Sequence, residues 1–172
     1  MTTMKTGVLV AIVLVGGAAY SAFAQNDDAT REAKDRAQIE QLMWKYARAL
    51  DTANPDAYAA AYTPDGQFSA GPTPTKGHEA LKKMIADIRQ RNTEAQAKGE
   101  TRPPMYHQTT NEYLEFLGKD RARLHSYYIT VFGAAGQNNP ARIAAAGRSI
   151  DELVRVNGKW LIQSRNVAPT TE

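Results

Sequence analysis

The sequence predicts an α+β fold, a cone-shaped α+β barrel in which three N-terminal helices pack on a strongly curved mixed or antiparallel sheet. Three observations predict it. Apolar residues recur at helical spacing in the first half of the chain. The second half is rich in β-branched and aromatic residues. Asn157-Gly158 sits between two such runs and marks a tight hairpin.

The elements follow in order. Ile39, Leu42, Met43, Tyr46 and Leu50 lie on one stripe, so an amphipathic helix is expected from Thr30 to Asp51. Asn54-Pro55 is a cap followed by a proline suited to a first helical turn, which starts a short helix to Tyr62. Thr63-Pro64-Asp65-Gly66 ends that helix, and Gln67 to Ala70 is a short strand. The Gly71–Gly77 stretch, with prolines at 72 and 74, is a loop. Leu81, Met84, Ile85 and Ile88 mark a third helix that fades at Lys98-Gly99. Met105 to Leu117 and Arg121 to Gly133 are strands joined by a turn at Gly118. Ala141 to Val156 is a long strand with a bulge expected at Gly147, and Lys159 to Val167 is the last. Trp44 and Trp160 are expected to be packing residues.

The first 24 residues stand apart. Lys5 precedes an apolar run from Gly7 to Ala19, and Ala22-Phe23-Ala24 closes the segment. Charged start, apolar middle and small-x-small exit describe a secretory signal peptide cleaved after Ala24. The run is shorter than the ~20 residues of a spanning helix, so no stable membrane span is expected after cleavage. Residues 25–29 read as a polar linker and 30–172 as one domain, in a periplasmic or secreted protein.

Composition excludes several classes. The chain of 172 residues has 42% hydrophobic and 23% charged residues, which describes an ordered globular domain. It has no cysteine, so a disulfide framework and a thiolate nucleophile are excluded. The net charge is +3, and the basic pairs Lys82-Lys83 and Arg121/Arg123 read as solvated faces, so no nucleic-acid partner is expected. The three histidines show no metal-ligand spacing and no glycine-rich phosphate loop follows a strand, so neither metal nor cofactor is expected.

The ordered set Tyr46-Ala47-Arg48-Ala49-Leu50-Asp51, Tyr62-Thr63-Pro64-Asp65-Gly66, Gly77-His78-Glu79-Ala80-Leu81, His107-Gln108-Thr109-Thr110-Asn111 and Asp151 through Trp160 resembles the SnoaL-like branch of the nuclear transport factor 2-like superfamily. Its site pattern is similar to scytalone dehydratase and bile-acid 7α-dehydratase. The first resemblance matches Asp51, His107 and His125. The second matches Tyr46, Asp51, His107 and Arg165, with His125 in place of an acid. Two tyrosines of the fungal enzyme are replaced here by Leu50 and by Phe68 or Ser69. The shuttling Asp of ketosteroid isomerase has no counterpart near Ala70-Gly71.

The resemblance implies a cofactor-independent lyase of dehydratase type acting on a small hydroxylated aromatic or polycyclic compound, and a homodimer. Its catalytic set is Asp51, His107, His125 and Tyr46. Arg165, Asn111, Tyr62 and Tyr127 are substrate-binding candidates. Histidine titrates near neutral pH, and a carboxylate on one ring nitrogen leaves the other free to move a proton. Alternation places Arg123, His125, Tyr127, Ile129 and Val131 on one side of their strand, and His107, Thr109, Asn111 and Tyr113 on one side of the strand before. Pairing across Gly118 would set Thr109 and Asn111 roughly opposite Tyr127, with both histidines on one cavity. His78 is expected to be exposed and structural. A non-catalytic binder of hydrophobic ligands and an isomerase are the alternatives.

Overall fold

A computed structural model describes residues 8–136 and 138–170, with side chains described from residue 28 on. The elements run α1 (Val8–Asp51), α2 (Pro55–Ala60), β1 (Tyr62–Ser69), β2 (Thr75–Lys76), α3 (His78–Ala97), β3 (Met105–Phe116), β4 (Arg121–Phe132), β5 (Arg142–Val156) and β6 (Lys159–Asn166). The chain divides into two compact units, residues 1–37 and 38–172. The described residues of the first, 8–37, are the leading part of α1, where Arg31 pairs with Asp28 one turn away. Of the expected signal segment, residues 1–7 lie outside the described residues, while the rest of it and the stretch read as a linker, 25–29, belong to α1. Among the described residues no helix is long and apolar enough to cross a membrane.

The second unit holds helices packed on a six-stranded mixed sheet of order β2-β1-β6-β5-β4-β3. The expected cone-shaped α+β fold is seen: the sheet is curved and unclosed, with β2 and β3 as its edges. Among the described residues only β1 and β6 pair in parallel. Asn54 caps α2 by accepting a hydrogen bond from the Ala57 amide at 3.1 Å, with Pro55 at the first position. Asn157 (φ 50°) and Gly158 (φ 76°) form the two-residue turn that sets Val156 against Lys159.

Period-two burial defines the two faces of the sheet. Ala122, Leu124, Ser126 and Thr130 of β4, and Ser149, Asp151 and Leu153 of β5, are buried on the inner face. Tyr46, Tyr58, Tyr62, Leu81, Ile85, Trp160 and Ile162 complete the core beneath the helices. Burial of such apolar side chains stabilises by about 1.5–3 kcal/mol each and dominates the fold.

The structure corrects several local expectations. β1 already starts at Tyr62 and includes the residues read as a turn. Its pairing with β6 breaks between Tyr62 and Gln67, and Pro64 sits in that unpaired stretch, where a missing N–H costs no ladder bond. The strand expected before the third helix is there, as β1, with β2 after it. Gly147 pairs regularly with Tyr128 and is not a bulge. A Cβ there would lie 2.9 Å from the Tyr128 ring, so the glycine makes room for that ring. Trp44 does not pack in the core; it is 64% exposed.

Candidate active site

Asp51 ends α1, where a carboxylate meets the negative end of the helix dipole and needs a compensating partner. It has one. Asp51 Oδ1 accepts the backbone N–H of His107 at 3.0 Å and bonds to the His107 ring Nδ1 at 2.7 Å. Arg48, one turn earlier, brings Nη1 to 3.8 Å from Oδ2. The Asp51 side chain is 7% exposed and the His107 ring 19%. A carboxylate accepts at Nδ1, so Nδ1 carries the proton in this pair and the Nε2 lone pair remains free.

His107 faces inward because β3 pairs it with Thr130 on the inner face of β4. Its same-face neighbours are Met105, opposite Phe132, and Thr109, opposite Tyr128. Asp51 borders a cavity of about 740 Å³ with a mixed wall: Leu50, Ile88 and Phe132 on the apolar side, Arg91, Glu100 and Arg142 on the charged side. That is within the range of small-molecule pockets.

Deeper in lies a second polar group. Tyr46, Tyr58 and Tyr62 are buried with ring centroids 5.3–6.2 Å apart. The Tyr58 and Tyr62 hydroxyls are 3.2 Å apart. Burial, then the neighbouring phenols, push both well above the ordinary tyrosine range, so both stay hydrogen-bond donors. Arg165 lies 4.7 Å over the Tyr46 ring and pairs with Asp151. Both partners are buried, and Asp151 Oδ1 and Arg165 Nε lack a hydrogen-bond partner. Burial pushes Asp151 up to about 7 against the pull of Arg165.

Sequence reasoning missed Asp151 and Glu112. Asp151 was legible from its place between Ser149 and Leu153 in β5 alternation. Glu112 follows Asn111, whose φ of 52° marks the bulge where β3 pairing jumps from Thr110 to Tyr113. Its carboxyl is raised by desolvation and by Glu40, and lowered by Arg165.

The same bulge overturns the expected histidine pair. His125 pairs with Tyr113 and Ile150 on the outer face, the side opposite Ser126 and Leu124. Its ring lies 6.0 Å from that of Tyr113. Asn111 and Tyr127 line the same outer depression as His125. These three residues are therefore not part of the interior site. Tyr46 and Tyr62 are interior, but Arg165 is committed to Asp151 instead of being an open anchor. His78 is partly buried rather than exposed, and its Nε2 meets the Tyr62 carbonyl at 3.0 Å, a structural tie between α3 and β1. Among the described residues no three His, Asp or Glu side chains gather as a metal-holding group.

The SnoaL-like domain model matches residues 31–166. Among curated proteins none matches this sequence. Solved structures are similar over most of the chain. A nuclear transport factor 2-like protein with a cystatin-like fold from Novosphingobium aromaticivorans superposes with a TM-score of 0.67 at 16% identity, over 86% of this chain and 91% of its own. A candidate scytalone dehydratase from the same organism gives 0.66 at 23% identity, over 83% and 89%. LinA gives 0.65 at 20% identity, over 81% and 88%. At these identities the likeness establishes the fold.

Proposed function

The chain belongs to the SnoaL-like domain family, and from that premise we propose that it is a cofactor-independent lyase of dehydratase type acting on a small hydroxylated aromatic or polycyclic compound. The fold also hosts unrelated activities, so the reading rests on the site. One observation carries it: a buried carboxylate that borders a cavity fixes both the backbone and the Nδ1 of an inward-facing histidine.

With His125 on the outer face, one imidazole does both proton transfers. His107 Nε2 takes the proton from the carbon next to a carbonyl. The electrons of that C–H bond form the new double bond as the C–O bond to the adjacent hydroxyl breaks. The imidazolium then returns the same proton to the departing oxygen, and water leaves with the imidazole restored. Asp51 stabilises the transient imidazolium and holds the ring. A tyrosine hydroxyl of the Tyr46, Tyr58 and Tyr62 group polarises the carbonyl. The names of two structural neighbours, the candidate scytalone dehydratase and LinA, support a family resemblance to enzymes.

The test is mass spectrometry of purified protein incubated with a panel of hydroxylated aromatic ketones and steroids. A product lighter by one water supports the reading. Products lighter by formaldehyde would move it to carbon–carbon cleavage, and unchanged masses throughout would sink it in favour of an isomerase or binder. Export by residues 1–24 is part of the same proposal and predicts Gln25 as the first residue of protein recovered from the periplasm. So is a homodimer formed by the outer sheet face, where Tyr113, Tyr127 and Ile143 are exposed.

A further inference from the structure

A groove of about 700 Å³ runs between the last turns of α1, helix α2 and the β5–β6 turn, and neither Asp51 nor His107 lines it. Ala57, Ala60 and Trp160 give it apolar walls. Trp44 stands at it with 64% of its surface exposed, which leaves its indole open to a ligand lying in the groove. Lys45, Arg48 and Lys159 also line it, and no Asp or Glu does. Arg48 is the one of the three that faces a carboxylate, Asp51 Oδ2, at 3.8 Å.

A groove with apolar walls, an open aromatic face and cations but no carboxylate on its lining selects a ligand with a flat apolar body and one anionic end. A hydrophilic anion would lose its own hydration against the alanine walls without gain, and a neutral ring would leave Lys45 and Lys159 unused. We propose that this groove is a second ligand site, taking a small aromatic carboxylate whose ring lies on Trp44 and whose carboxylate meets Lys45, Arg48 and Lys159. The indole supplies stacking area at low entropy cost, and the cations supply charge-assisted hydrogen bonds. The site is distinct from the Asp51–His107 pair but shares Arg48 with it, through the 3.8 Å contact to Asp51 Oδ2.

The chain has two tryptophans and both line this groove, so their indole N–H signals in a ¹⁵N-labelled sample report on it directly. Benzoate is the probe and methyl benzoate its uncharged control. The expected result is a saturable shift of the Trp44 indole signal with benzoate, assigned by its loss in Trp44→Leu. Methyl benzoate should bind at least about tenfold more weakly, as should benzoate to Lys45→Gln/Lys159→Gln, because charge-assisted contacts are lost. Absence of a saturable benzoate shift at millimolar concentration overturns the proposal. So does equal binding of the ester, or an unchanged response in the double variant. Should that variant not fold, the acid-to-ester comparison on the unmodified protein decides alone.

Discussion

Asp51 and His107, 56 residues apart in sequence, are joined by two hydrogen bonds to the same carboxylate oxygen, one from the backbone amide and one with the ring Nδ1. The amide bond places the strand against the end of α1, and the ring bond sets the tautomer. Orientation is therefore built into the backbone as well as the side chain. The pair should behave as one unit when either member is altered.

The first prediction concerns that unit. Asp51→Asn and His107→Gln should each lower turnover by roughly 10²–10⁴, and the double variant should lose little more than the worse single one. Tautomer-sensitive ¹⁵N NMR gives a readout that needs no substrate. The His107 ring should carry its proton on Nδ1 in the unmodified protein and lose that preference in Asp51→Ala. Retention of the Nδ1–H form without the carboxylate would show that Asp51 does not set the ring.

His125→Ala should leave turnover within about twofold, because the ring lies on the outer sheet face among Tyr113, Tyr127 and Arg148. If that face joins two copies, the association constant measured by sedimentation should fall instead. The two readouts separate an interface histidine from a catalytic one, since a catalytic loss would appear in the rate with the assembly intact.

How the sequence reading misplaced His125 is a matter of register. Alternation within β4 was legible, and Arg123, His125, Tyr127, Ile129 and Val131 do share a side. The pairing was not: Thr109 lies opposite Tyr128 and Thr110 opposite Tyr127, so His107 faces Thr130. A slip of one residue exchanges the two faces of a sheet, which is why the two histidines part. Asn111 hides a second step, since its bulge turns Tyr113 outward and brings Leu114 opposite Leu124. Asparagine tolerates a positive φ, but nothing in the local sequence demands one there. Asp51 was legible because its helix stripe and the end of its helix are local signals. The Arg165–Asp151 pair was not, because it joins two strands whose register only the tertiary structure sets.

Asp151 and Arg165 give a pH prediction. Burial pushes the Asp151 carboxyl from its ordinary 3.8 up to about 7. Between those values the native state holds a proton that the unfolded chain has released. Its contribution is therefore full below pH about 4 and lost as pH rises through about 7. Urea denaturation across this range should show stability falling with pH, with the slope reduced in Asp151→Asn. Near pH 5, where Asp151 already holds its proton, the variant should cost no more than about 1 kcal/mol, the worth of one altered hydrogen bond. A pH-independent stability of the unmodified protein would mean that water reaches the pair.

Two glycines should differ in what an added methyl costs. A Cβ at Gly147 meets only the end of the Tyr128 ring, at 2.9 Å, and that ring can swing away. At Gly66 the methyl would lie 2.9 Å from the Thr63 carbonyl oxygen and 3.0 Å from that of Ile162, where β1 leaves its regular pairing with β6. Backbone in a sheet cannot yield without breaking the ladder. Gly147→Ala should therefore cost about 1 kcal/mol and Gly66→Ala about 3 kcal/mol or more, the two ends of the overpacking range. Thermal denaturation in a Tyr128→Ala background sharpens the contrast: the shorter side chain should remove the penalty at Gly147 and leave the penalty at Gly66 unchanged. Equal penalties at both positions, or relief of both by Tyr128→Ala, would mean that the β1–β6 backbone relaxes more freely than its contacts allow.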